Sequence, residues 1–145
     1  MRWLVGLGFL SSLGCGGLDP EVGALREARC VDEDSDPTQD VSFARDILPI
    51  IEAEVGCRCH LPEASDPIGF IATGLNLSTR EALLSGGIRS GADIVTVGSA
   101  CDSILYQKTG SSPPFGSRMP FDGPPLLGEE ARQRIADWII EGARP

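Results

Sequence analysis

The sequence predicts an all-α domain, small and loop-rich. Three observations carry the prediction. Short segments place apolar residues three and four positions apart, between recognisable cap and stop residues. Only Ile94-Val95-Thr96-Val97 has the composition of a strand. The longest stretch between helical segments is a proline-rich loop rather than a strand pair.

Val41 to Val55 is predicted helical and capped by Asp40, with Phe43, Ile47, Ile50, Ile51 and Glu54 along one stripe. Pro49 lacks an amide hydrogen and crowds the preceding turn, so it kinks this helix or divides it in two. Ser78 to Leu84 follows, with Ser78 and Glu81 in the capping-box arrangement and Gly86-Gly87 as the stop. Asp102 to Lys108 makes a third helix, ended by Gly110. Glu129 to Glu141 is the clearest. Ala131, Ile135, Trp138 and Ile139 share a face, acids occupy the first turn, and Gly142 ends it. The loop from Ser111 to Pro125 contains five prolines, which preset φ and stiffen it. A long, stiff loop in a small domain is usually functional.

Composition narrows the chemistry. The chain has 145 residues, a net charge of -9 and a pI near 4.5. It lacks the basic face that nucleic acid requires, so no nucleic-acid partner is expected. His60 is the only histidine. That excludes metal sites built from several histidines, and haem held by two of them. Acid–base work near neutral pH would have to run through this one ring. No nucleophile-elbow sequence accompanies it, and no enzymatic activity is expected.

The chain opens with Met1-Arg2 and a short apolar run, Trp3 to Leu10, well below the ~20 residues that span a bilayer. Ser12-Leu13-Gly14-Cys15 resembles the bacterial lipobox. Residues 1–14 are therefore expected to be a lipoprotein signal peptide, with Cys15 becoming the lipidated N-terminus. Gly16 after that cysteine implies outer-membrane sorting by the same resemblance. The expected location is an exported, membrane-anchored lipoprotein that meets the membrane through its lipid anchor only. Residues 15–40 are acid-rich and poor in apolar groups, and are expected to form a flexible tether. Cys30 lies in that tether, and a lone thiol there is out of place in an oxidising compartment. It is expected to pair with a cysteine of the folded part, residues 41–145.

The chemistry concentrates at Cys57-Arg58-Cys59-His60. Cys-x-x-Cys-His is the attachment signature of c-type haem: two thiols add to the vinyl groups and the adjacent histidine faces the iron. Here the cysteines are one residue apart, and Gly56 stands at the first cysteine's place. In helical geometry Cys57 and Cys59 point in nearly opposite directions. Cys59 keeps the expected register before His60, and Cys57 does not. A zinc site of Cys57, Cys59, His60 and a further cysteine is conceivable, although the spacing suits no common zinc knuckle.

Five stretches around this site resemble the small cytochrome-c-like domain found in secreted proteins of planctomycetes and myxobacteria. They are FARDILPII (43–51), GLNLSTREALLSGG (74–87), SACDSILYQKT (99–109), RMPFDGPPL (118–126) and ADWIIEGA (136–143). The resemblance implies a cytochrome-c-like helical domain. It implies one haem c, held through Cys59, with Cys57 as a second thiol out of register, and with His60 and Met119 as its axial metal ligands. It also implies electron exchange with redox partner proteins of the cell envelope. Met119 is the only methionine besides Met1. Arg80, Arg89 and Arg118 could meet haem propionates, against the more ordinary role of solvated surface charges. The competing reading is a haem-less structural or interaction lipoprotein of the same fold, stabilised by disulfides. Cys30, Cys57, Cys59 and Cys101 allow three pairings, and Cys57 is expected to pair with Cys30 or Cys101, since a bond to Cys59 would close a strained loop.

Overall fold

The computed structural model describes residues 30–53, 56–121 and 123–145. The expected signal peptide, Cys15 and the first part of the tether lie outside the described residues, as do Glu54 and Val55. The described residues are all-α, with no strand among them. Helices α1 (Leu48–Glu52), α2 (Ile68–Thr73), α3 (Arg80–Ser85), α4 (Ile104–Thr109) and α5 (Glu129–Ile140) are joined by loops and single tight turns. The β-like run contributes only an isolated bridge, Thr96 to Ser99. No helix among the described residues is long and apolar enough to cross a membrane.

The first predicted helix is divided, as Pro49 requires. Phe43–Ile47 forms one π-helical turn, closed by the Leu48 amide donating to the Phe43 carbonyl. Pro49 then occupies the opening turn of α1, where its missing N–H costs no bond. The cap is Ser42, not Asp40. Ser42 Oγ accepts from the Arg45 amide at 3.3 Å, and Asp46 reaches back to the Ser42 amide at 2.8 Å. Asp40 is engaged instead with Arg144. A similar one-residue correction applies to α3. Asn76 Oδ1 accepts from both the amide and the hydroxyl of Ser78, so capping passes to Thr79, whose Oγ1 accepts from the Ala82 amide. Helices α4 and α5 end at Gly110 and just before Gly142, as expected.

Helix α2 is absent from the sequence expectations. Pro67 precedes it and Gly74 ends it at φ 66°. That pairing of an initiating proline with a terminating glycine is its sequence signal. It buries none of its residues fully, so it has no apolar stripe to find.

The core gathers where the two ends of the domain meet. Trp138 of α5 has no exposed surface and packs on Phe43, with ring centroids 5.7 Å apart. Ile47, Leu77, Leu83, Ile94 and Ile139 fill the space around them. Beyond α5, Gly142 and Ala143 turn the chain through positive φ. The Arg144 carbonyl then accepts from Trp138 Nε1 at 2.8 Å and from the Phe43 amide at 3.0 Å.

Residues 30–40 are docked on the domain, as the expected pairing of Cys30 with a cysteine of the folded part requires, so the tether is not free over that part. Cys30 and Cys101 form a disulfide. Asp32 accepts from the Cys101 amide at 2.9 Å and from Ser99 Oγ at 2.7 Å. Ser35 donates through its amide and hydroxyl to Asp137, at 3.0 and 2.7 Å. The segment has little apolar area to bury, so a covalent bond and polar contacts hold it. The same disulfide corrects the pairing expected for Cys57. Cys57 and Cys59 both stay outside disulfides, and the arrangement that used all four cysteines in two bonds is not formed.

Candidate functional site

Helix α1 ends in a turn that only glycine can make. A Cβ on Gly56 would collide with the carbonyl oxygens of Ile50 and Ile51. This gives a physical reason for the departure from Cys-x-x-Cys-His: the first cysteine's place admits no side chain, and the nearest thiol is one residue later. Arg58–His60 then forms a single 3-10 turn, with the His60 amide donating to the Cys57 carbonyl at 2.9 Å. At three residues per turn, positions two apart diverge by about 240°. The thiols diverge accordingly, but in the sense opposite to the sequence expectation. Cys57 lines a half-open cavity of about 240 Å³, together with His60 and Met119. Cys59 is not part of that wall. Its sulfur lies against α2, where a Cβ on Gly69 would come within 2.8 Å of it.

His60 is only 4% exposed. Its backbone is tied to the segment after α2, the Leu77 amide donating to the His60 carbonyl at 3.1 Å. Nδ1 lies 3.4 Å from Thr73 Oγ1. The Thr73 hydroxyl donates to the Gly69 carbonyl at 2.6 Å and accepts from the Leu75 amide at 3.2 Å. With its one hydrogen committed, Thr73 can meet Nδ1 only as an acceptor, so a neutral ring that uses this contact carries its hydrogen on Nδ1. Nε2 borders Gly69, where a Cβ would stand 2.9 Å away. Burial holds the imidazole below its ordinary pKa. A hydrogen bond to the Leu75 backbone opposes that shift, and the charge of Lys108 adds to it. Burial, with the neighbouring Cys59, pushes the Cys57 thiol up to about 12. Cys57 is therefore a neutral thiol at physiological pH, not a nucleophilic thiolate.

The proline-rich loop is fastened to the end of α4. The last carbonyls of a helix have no intrahelical donors, and here the loop supplies them. The Met119 amide donates to the Lys108 carbonyl at 2.7 Å, and Arg118 Nε donates to the Thr109 carbonyl at 2.8 Å. Lys108 Nζ returns two bonds, to the Phe115 carbonyl at 2.7 Å and to that of Ser117. These bonds set Met119 and Phe115 on the cavity wall opposite the core. Leu75, Leu77, Ile94 and Leu105 give the cavity an apolar interior.

Thus Cys57, His60 and Met119 come together and Cys59 does not. The zinc reading loses its fourth ligand, because Cys101 is bonded to Cys30. Among the described residues, no group of three or more His, Cys, Asp or Glu gathers as metal ligands. Sequence reasoning missed Gly69, Thr73 and Lys108. A glycine inside a helix is a recognised sign of close backbone approach and could have marked Gly69; no local pattern distinguishes Thr73. Among known proteins, no family model, curated sequence or solved structure matches the chain.

Proposed function

We propose that this is a haem-binding electron carrier of the cell envelope, exported and anchored through Cys15, with no bond chemistry of its own. The observation that carries the reading is the shared cavity. The single histidine, the single methionine beyond Met1 and one thiol line the same apolar cavity. The donor set suits an iron porphyrin: an imidazole, a thioether sulfur and a thiol able to form a covalent link. Thr73 would serve as the positioning residue, its hydroxyl oxygen facing the imidazole Nδ1. Met119 would hold the iron through its thioether sulfur, and Cys57 rather than Cys59 would supply the attachment. When bound, haem supplies a one-electron couple. The residues around it hold it, exclude water and tune its potential. The acidic surface favours basic redox partners.

A haem-less interaction lipoprotein is the second reading. It draws on the Cys30–Cys101 bond, which ties the chain to the fold without a cofactor. One experiment separates the two. The protein is exported from a host with a c-type haem maturation system, and its haemochrome spectrum is recorded. A covalent haem with a single-thioether spectrum is expected, lost in Cys57→Ser and retained in Cys59→Ser. Met119→Leu should abolish the methionine–iron absorption band. A protein that emerges colourless under those conditions sinks the electron-carrier reading.

A further inference from the structure

We propose that the cavity holds its ligand by a carboxylate as well as by an apolar body, and that Arg89 and Lys108 are the cations that grip it. The inference deepens the porphyrin reading and rests on it for the shape of the apolar body. The charge argument needs only the cations.

In a chain of net charge -9, two cations line an apolar cavity, and both lie over the same aromatic ring, Phe115. The Arg89 guanidinium carbon is 4.6 Å from the centre of the Phe115 ring, and Lys108 Nζ is 5.0 Å from it. Among the described residues, no carboxylate lies within ion-pair distance of either. The other nearby bases are committed. Arg118 holds the Thr109 carbonyl, Arg80 holds the Ala143 carbonyl and Glu81, and Arg132 pairs with Glu129. Burial and the charge of Arg89 both hold Lys108 below its ordinary pKa, so the pair is mutually repulsive as it stands.

A carboxylate entering between them would relieve that repulsion. Donors remain for it. Two of the three Lys108 ammonium hydrogens go to the Phe115 and Ser117 carbonyls, leaving one. Arg89 lies over the Phe115 ring, and its planar fork of N–H groups matches a carboxylate edge to edge. Phe115 itself gives the ligand's apolar body a surface beside its charged end. The ligand class that meets all of this is an apolar molecule with one or two carboxylates.

The test uses the full chain, made without a haem-attachment pathway and titrated with protoporphyrin IX, its dimethyl ester, oleate and methyl oleate. Protoporphyrin carries no iron, so axial ligation plays no part. The free acid should bind about tenfold or more tighter than the ester. Raising the salt concentration should narrow that gap, and Arg89→Gln should remove most of it. Lys108→Gln also takes away two loop contacts, so exposed Arg89 is the decisive position, and Arg89→Lys should restore part of the preference. Porphyrin binding that ignores esterification, or a preference that survives Arg89→Gln combined with Lys108→Gln, overturns the inference while leaving the porphyrin reading intact. Charge-dependent oleate binding without porphyrin binding does the reverse. If none of the four probes binds a chain whose circular dichroism shows it folded, the inference falls as well.

Discussion

The side of the molecule built by the π-helical turn and α5 contrasts with the side that carries His60 and Met119. On the first, Trp138, Ile47 and Ile139 have no exposed surface, and their positions follow helical spacing. On the second, the key positions follow from missing side chains and from single hydrogen bonds. Gly56 and Gly69 allow backbones to approach, Thr73 faces one ring nitrogen, and the end of α4 captures a loop. The first side is filled, whereas the second leaves a cavity of about 240 Å³. The contrast teaches that stability and ligand chemistry are lodged in different residues here, and that each can be disturbed separately.

The largest expected effect breaks the filled side. Trp138→Ala removes a fully buried ring, its contact with Phe43 and its bond to the Arg144 carbonyl. A loss of about 3–5 kcal/mol is expected from urea unfolding. Met119→Leu, close in volume and in a half-buried loop, should change stability by under about 1.5 kcal/mol. Comparable losses from the two would show that the sides are not separable.

The same contrast explains what was legible in the sequence. The stripe Phe43, Ile47, Ile51 and the face Ile135, Trp138, Ile139 were readable because burial imposes a period. The ends of α4 and α5 were readable because glycine terminates helices by a local rule. His60 and Met119 were found as the only residues of their kind and through the resemblance, and both line the cavity. The placement of Cys57 on the cavity and of Cys59 off it was not legible. It depends on a 3-10 turn whose pitch the three residues Arg58-Cys59-His60 do not announce. The anchoring of residues 30–40 was legible only through Cys30; the polar contacts beside it were not, because acids that look solvated accept hydrogen bonds from residues about 70 positions away. Long-range polar contacts leave no period in a sequence.

Gly69→Ala sharpens the comparison with a change of sign. Within a helix, replacing glycine by alanine ordinarily stabilises by about 0.4–1 kcal/mol. Here the new methyl would lie 2.8 Å from Cys59 Sγ and 2.9 Å from His60 Nε2. Overpacking of this kind costs about 1–3 kcal/mol. The variant should therefore unfold at lower urea than the parent. It should also displace His60, seen as a shift of its imidazole resonances by NMR. A stabilised Gly69→Ala protein would mean that α2 does not press on the Cys59–His60 turn.

The smallest effect concerns protons on the same ring. In the chain without iron, burial sets the His60 pKa below its ordinary value of 6.5, and Lys108 reinforces that direction. The unfolded chain then binds the proton more readily than the folded one. Stability is complete above pH 6.5, and it declines as pH falls from 6.5 toward the depressed folded value. Cys57 adds no charge in this range, because its pKa is pushed up to about 12. His60→Gln should flatten the decline in unfolding midpoint between about pH 7 and pH 5, the window that an ordinary histidine pKa defines. Ligation of iron through Nε2 should flatten it too, because a metal competes with the proton for the same lone pair. A parent whose midpoint already ignores pH in this window, without bound iron, would place the ring in contact with water and remove the basis for a dry cavity wall at His60.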